Sequence, residues 1–344
     1  MAVTIKDVAK MAGVSPSTVS RVLSNHPRIS AETSRKVKDV MEELGYHPNI
    51  MAKSLVSKTT NTICVLLPKP AEELFSNLFF MELIRGIVAQ ANRAGYDVLL
   101  SSGSSEKEEL GAVSRLLNGR RVDGAILLYS RKDDPVVDFL LEHGYPFTLI
   151  GRSEEHPDIL TVDTDNVQAA YDATKHLITM GHERIGFVSG PPNLVVSQDR
   201  LLGYRLAMAD SELEVRPEWI VEGEFLQESG YRAMSFIMNL PARPTALVVV
   251  DDMVSFGVLR GLHELKYKVP DDLGIVSFNN IPLSELSTPP ISSIDIGIYH
   301  LGYTASQLLI QAIQNDGAGY QPVRQVIPHR LIVRESSAFA VPRK

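Results

Sequence analysis

From Thr62 onward the chain runs in a strict cadence: short stretches of consecutive apolar residues alternate with segments whose apolar residues recur at helical spacing. Thr62-Ile63-Cys64-Val65-Leu66-Leu67 is the first apolar run, ended by Pro68. Residues 80–94 then place Leu83, Ile84, Ile87, Val88 and Ala91 on one helical side before Gly95, and 96–100 form the next apolar run. The alternation continues with a helix at 107–118, a strand at 124–128, a helix at 135–142 and a strand at 147–150. Strands that are apolar throughout, rather than at every second residue, are covered on both faces. That condition predicts parallel sheets flanked by helices.

After Thr161-Val162-Asp163-Thr164-Asp165-Asn166 the cadence restarts. Helices at 167–180, 199–209, 229–239 and 253–265 alternate with strands at 184–188, 219–222, 246–250 and 274–278. A stretch rich in proline and serine, 282–293, precedes a further helix at 299–314 and a last strand at 325–333. The second half repeats the first in architecture, though not visibly in sequence. Two α/β lobes with a cleft between them are the expected result.

The first 60 residues differ in character. They carry a net charge of +4 against −11 for the remaining 284, so a nucleic-acid partner, if there is one, must be held by this head. Thr4-Ile5-Lys6-Asp7 has the spacing of a capping box, and Ile5, Val8, Ala9 and Ala12 share one face before Gly13. Ser15-Pro16 is a second helix start, with Val19, Val22 and Leu23 facing inward and Ser17, Thr18, Arg21 and Asn25 off the apolar face. A third helix runs from a cap at Ser30 through Val37, Val40, Met41 and Leu44 to Gly45. The pattern fits a helix-turn-helix and also any small helical hairpin. Short hydroxyl residues opening the second helix suit close phosphate or base contact, and Arg21 has the reach for a guanine edge or a phosphate. Residues 49–57, with Ala52 and Leu55 in their apolar set, are too few for a stable isolated helix. They read either as a linker or as a helix formed when a second copy and a DNA minor groove cover Leu55.

No catalytic set emerges from the body. The single cysteine, Cys64, rules out an intramolecular disulfide and a multi-cysteine metal cage, and the nine histidines form no metal motif. Asp163 and Asp165 lack further ligands at useful spacing and read as helix caps. Asp251-Asp252 follows an apolar strand, where ligands of open α/β sheets bind, so effector contact and helix capping both remain open. Neither a phosphate-cradling glycine set nor a nucleophile elbow is present. The expectation is a non-enzyme without metal or cofactor. No apolar run reaches 18 residues and the N-terminus opens on charged and polar residues, which predicts a soluble cytoplasmic protein.

Thr4-Ile5-Lys6-Asp7-Val8-Ala9, Ala12-Gly13-Val14-Ser15, Thr18-Val19-Ser20-Arg21-Val22 and Gly45-Tyr46-His47-Pro48-Asn49 together resemble the N-terminal signature of the lactose-repressor/galactose-repressor family. The likeness extends to about Ser336, and within the family it is greatest to the maltose-operon repressors of Gram-positive bacteria. The resemblance implies an all-α helix-turn-helix head with a hinge helix, followed by a two-lobed, periplasmic-binding-protein-like α/β sensor with parallel sheets. It implies DNA contacts from Ser15, Pro16, Ser17, Thr18, Ser20, Arg21 and Asn25 in the major groove. Ala52 and Leu55 match the hinge pattern that wedges into the minor groove, with Lys53 and Lys58 adding backbone contacts. In the sensor, Ser197-Gln198-Asp199-Arg200 matches the segment whose arginine reaches effector oxygens, and Asp251 sits where a polar effector ligand is often placed. Asn279 stands where some sugar-binding members carry aspartate, a departure that bears on hydroxyl recognition. Phe79 and Tyr129 read either as stacking partners for a pyranose or as lobe packing.

By the same resemblance, the effector is maltose or a related maltodextrin, the operator is palindromic double-stranded DNA, and the assembly is a homodimer, because 337–344 lacks a tetramerising leucine repeat. The alternatives are a catabolite-control regulator that binds DNA with a phosphorylated phosphocarrier protein, or a regulator responding to another sugar. The implied boundaries are a head at 1–48, a hinge and linker at 49–61, a sensor at 62–336 and a tail at 337–344. Lobe 1 would hold 62–161 plus 292–322, and lobe 2 would hold 162–290 plus 323–336.

Overall fold

The computed structural model describes residues 3–23, 26, 28–46, 59–67, 77–315 and 323–338. The chain divides into two compact units, Met1–Thr60 and Asn61–Lys344. Asn25 and the segment carrying Ala52, Lys53, Leu55 and Lys58 lie outside the described residues.

In the first unit, α1 (Ile5–Ala12), α2 (Pro16–Leu23) and α3 (Ala31–Glu43) enclose a small core of Val8, Ala9, Ala12, Val19, Val22, Val37 and Val40. Each start signal in the sequence is used. The Asp7 carboxylate accepts from the Thr4 amide at 2.9 Å and the Thr4 hydroxyl at 2.6 Å, which holds its pKa low. Ser15 Oγ accepts from the Thr18 amide at 3.1 Å and Ser30 Oγ from the Thr33 amide at 3.2 Å. Gly13 closes α1 in the left-handed region, φ +65°, where a side chain would be strained.

The second unit holds two six-stranded sheets. The first runs in the order β11 (Arg324–Ile327), β5 (Thr161–Thr164), β4 (Phe147–Ile150), β3 (Gly124–Leu127), β1 (Thr62–Leu67), β2 (Asp97–Ser102). The second runs β12 (Arg330–Ile332), β10 (Ser292–Asp295), β9 (Gly274–Phe278), β8 (Ala246–Val249), β6 (Ile185–Ser189), β7 (Ile220–Glu222). Every pairing is parallel except that of β10 with β12. The inner strands β1, β3, β4, β6, β8 and β9 are buried along almost their whole length, as runs of continuous apolar residues require.

The chain passes between the lobes three times, and the sheet memberships correct the expected crossings. Residues 161–164 belong to lobe 1 as β5, and 292–295 belong to lobe 2 as β10. The stretch 325–333, read as one strand, is two: β11 pairs in the first sheet and β12 in the second, with Pro328 and His329 between them. Proline cannot donate to a ladder, so one continuous strand is interrupted there. The helix Ile298–Gln314 then packs on lobe 1 against the helix Leu78–Arg93.

Candidate functional site

On the head, Val19 and Val22 fill the core, which turns the opposite face of α2 outward. Ser15, Pro16, Ser17, Ser20 and Arg21 are exposed and Thr18 is half-buried, so the candidate reading residues share one accessible face. Ser15 and Thr18 hydroxyls are 2.9 Å apart, and that of Ser15 also caps the helix at the Thr18 amide. Those two side chains therefore have a structural task besides any contact with DNA.

In the sensor, a cavity of about 310 Å³ opens between the lobes at the carboxyl ends of the strands, where open α/β sheets bind ligands. All five sequence-derived effector candidates line it: Phe79, Tyr129, Arg200, Asp251 and Asn279. Phe79 begins the helix Leu78–Arg93, which is capped by Asn77 Oδ1, and it meets Phe80 edge to face at 5.1 Å. Tyr129 follows β3, with its hydroxyl donating to the buried Glu109 at 3.2 Å. Asp251 and Asn279 follow β8 and β9.

The helix expected at 199–209 begins earlier, at Val195, which places Asp199 and Arg200 in its second turn instead of at its start. Arg200 is almost fully buried, with its guanidinium 4.2 Å from the Phe278 ring centroid. Nε donates to Asn166 Oδ1 at 2.9 Å and Nη1 to the Val250 carbonyl at 2.6 Å. Much of the expected sugar-binding fork is thus held by protein acceptors. Burial pulls Arg200 down to about 10, against the attraction of Asp251 and Asp163.

Asp251 serves both of its open readings. Oδ1 caps the next helix, accepting from Met253 and Val254 amides, while Oδ2 accepts from Asn279 Nδ2 at 2.6 Å on the cavity wall. Burial and then Asp252 raise Asp251 to about 7. Asn279 lines the cavity, and its Oδ1 is buried with no hydrogen-bond donor among the described residues. Asp165 is a cap, accepting from the Gln168 amide at 3.0 Å, whereas Asp163 is buried and accepts from Thr164, Asn166 and Arg324. Among the described residues no group of three or more His, Cys, Asp or Glu side chains is arranged to hold a metal.

Sequence reasoning missed three cavity residues. Arg131 is gripped by Glu109 at 2.5 Å and Asp134 at 3.2 Å. Arg152, just past β4, reaches across the cleft to Asp199, with Nε at 2.9 Å and Nη2 at 2.5 Å from its carboxylate oxygens. Asn166 opens the helix Asn166–Thr179 and holds Arg200. The strand-end position of Arg152 was the available signal; Glu109, Asp199 and Arg200, which the three contact, lie 22, 47 and 34 residues away.

The comparisons with known proteins agree with this geometry. Residues 4–49 match the family described as bacterial regulatory proteins, lacI family, and residues 174–337 match the periplasmic binding protein-like domain. The chain is 38% identical to the HTH-type transcriptional regulator MalR of Streptococcus pneumoniae, over 96% of this chain and 99% of that one. It is 35% identical to catabolite control protein A of Priestia megaterium, over 98% of this chain and 100% of the relative. A solved complex of the transcriptional regulator CelR with cellobiose superposes with a TM-score of 0.76 at 31% identity, covering 97% of this chain and 99% of that one. Among the described residues no helix is long and apolar enough to cross a membrane. A helix-turn-helix head, a two-lobed α/β sensor and full-length similarity to such regulators leave one conclusion: the chain belongs to the lacI family of bacterial regulatory proteins, which are non-catalytic DNA-binding transcriptional regulators.

Proposed function

We propose that this chain is a homodimeric, sugar-responsive repressor that leaves a palindromic operator when maltose or a related maltodextrin binds between the lobes. Residues 1–48 would read DNA, 49–61 form the hinge, and 62–336 sense the sugar, with 337–344 a short tail. The observation that carries the reading is the balance of charge in the cavity. Arg131 is matched by Glu109 and Asp134, Arg152 by Asp199, and Arg200 lies among Asp251, Asp163 and protein acceptors. An anionic effector such as a sugar phosphate would have to break those pairs, at several kcal/mol for a buried one. An uncharged polyol needs only hydroxyl partners and an apolar wall, and the cavity is lined by Asn77, Ser130 and Asn193 as well as by the rings of Phe79, Phe80, Tyr129 and Phe225. The similar CelR was solved in complex with cellobiose, a disaccharide, in keeping with that chemistry.

The test is operator affinity measured while titrating maltose, maltotriose, glucose and glucose 6-phosphate. Maltose or maltotriose should weaken binding and glucose 6-phosphate should not. Arg200→Ala should bind operator but respond poorly to sugar, whereas Arg21→Ala should lose about 1–3 kcal/mol of specific operator affinity and keep the sugar. Operator binding that tightened with a phosphorylated phosphocarrier protein and ignored maltose would favour instead the catabolite-control reading, which the relative from Priestia megaterium supports.

A further inference from the structure

The side chain that anchors Arg200 stands on one of the crossings between the lobes. Asn166 Oδ1 accepts from Arg200 Nε at 2.9 Å, and its Nδ2 donates to the Thr164 carbonyl at 3.1 Å and Asp163 Oδ1 at 3.2 Å. Thr164 ends β5, and its hydroxyl faces the other two crossings at once, 3.3 Å from the Ile296 carbonyl and 3.3 Å from the Ile327 carbonyl. Asp163 is tied in turn to Arg324 on β11 at 3.1 Å. Asn166, Asp163 and Thr164 are each at most 7% exposed, so these bonds are not exchanged with bulk water.

Two features make this more than local packing. An amide is the side chain of this size that accepts at one end and donates at the other, which is what joining Arg200 to the crossing requires. A threonine hydroxyl has one proton, yet two carbonyls share it at equal and rather long distances. Ile327 is paired with Thr164 in the same sheet, whereas Ile296 follows β10 of the other lobe, so a rotation of one lobe on the other alters the Ile296 contact more than the Ile327 one. The hydroxyl has one acceptor in its own sheet and one on another crossing, and Asn166 links Arg200 directly to the Thr164 carbonyl.

We propose that Asn166 and Thr164 are positioning residues that transmit effector engagement at Arg200 to the three lobe crossings, with the Thr164 proton selecting between two lobe arrangements. The proposal rests on the reading of the cavity as the effector site. It is tested on the full-length protein with Thr164→Val, which keeps the shape and removes the hydroxyl, Thr164→Ser, which restores it, and Asn166→Asp, which keeps the acceptor for Arg200 and removes the donor.

The readout is the factor by which saturating maltose weakens operator binding. It should fall at least fivefold in Thr164→Val and Asn166→Asp and return in Thr164→Ser; wild-type factors in the first two variants would overturn the proposal. Wild-type protein that ignored maltose would refute the effector reading alone. The relay is then judged without ligand, from the distance distribution between spin labels at the exposed positions Glu142 and Ser235, one on each lobe. Thr164→Val should shift or broaden that distribution and Thr164→Ser should not. Identical distributions in wild type and Thr164→Val would overturn the proposal on their own.

Discussion

Asn279 holds a left-handed backbone, φ +99°, at the end of β9, with its amide nitrogen 2.6 Å from the Asp251 carboxylate and Asp252 adjacent. An aspartate here would set a second carboxylate against a group that burial already raises to about 7. Asn279→Asp should therefore destabilise the sensor by about 1–3 kcal/mol at neutral pH, the cost of an unsatisfied buried polar group. One of the pair then holds a proton in the folded state near neutral pH, and the loss should shrink toward pH 5 because that proton costs less as pH approaches the unfolded carboxylate value of about 4. Thermal melts of both proteins across pH 5–8 decide it, and a difference that did not vary with pH would exclude like-charge repulsion as the cause. His182 gives the opposite dependence. Its Nδ1 lies 3.0 Å from the Thr245 hydroxyl, and burial followed by the nearby His176 pulls its pKa down to about 4. A folded-state value below the unfolded one means that the contribution is complete above about 6.5 and is lost as pH falls from there toward 4. About 3 kcal/mol of stability should disappear over that interval. The corresponding slope in urea unfolding should flatten in His182→Asn.

Each lobe contains one helix pair drawn together by reciprocal glycines. In lobe 1, a Cβ on Gly86 would fall 2.1 Å from the Tyr299 carbonyl, and one on Gly302 would fall 2.1 Å from that of Leu83. In lobe 2, Gly230 and Gly257 stand in the same relation to Val254 and Gln227, at 1.9 and 1.8 Å. Alanine would gain about 1 kcal/mol of helix propensity at any of these positions, but separating two backbones costs about 1–3 kcal/mol, so overpacking wins. Gly86→Ala and Gly257→Ala should unfold at lower urea than wild type. Gly111→Ala, on a helix where the nearest atom is the flexible end of Arg115 at 3.6 Å, should unfold at higher urea. If all three moved together, close approach would not be the reason for these glycines. The helices and inner strands were legible in the sequence because a strand such as β8 is apolar at every residue. The crossings were not. β5 reads Thr-Val-Asp-Thr and is fully buried only because Arg324, Asn166 and distant carbonyls satisfy it. At the cavity, Asp251 was legible as a strand end and Asn279 only through the family resemblance. Arg152 and Asn166 were not, since their partners lie 47 and 34 residues away.

Across the whole sensor, the lobes are clasped by contacts of their own. Arg131 and Leu194 form an antiparallel bridge, the Val195 amide donates to the Ser130 carbonyl at 3.2 Å, and the Lys132 amide donates to the Asn193 carbonyl at 3.3 Å. Arg152 and Asp199 add a bidentate ion pair beside them, which raises the arginine pKa. A quarter of the Arg152 side chain is exposed, so solvent screens the pair and its coupling should be about 1–2 kcal/mol, well below that of a fully buried bridge. Contacts present only in the closed arrangement lower the energy an effector must supply to close the cleft. Arg152→Ala and Asp199→Ala should each weaken sugar binding, by roughly 5–30-fold if the whole coupling acts on closure. Charge reversal separates this from simple loss of a cavity residue. Arg152→Asp and Asp199→Arg should each be damaging alone, and the double variant should recover part of the affinity because the pair is re-formed with its ends exchanged. A double variant as weak as the worse single one would show that Arg152 and Asp199 touch the sugar independently and that the clasp contributes nothing to its affinity.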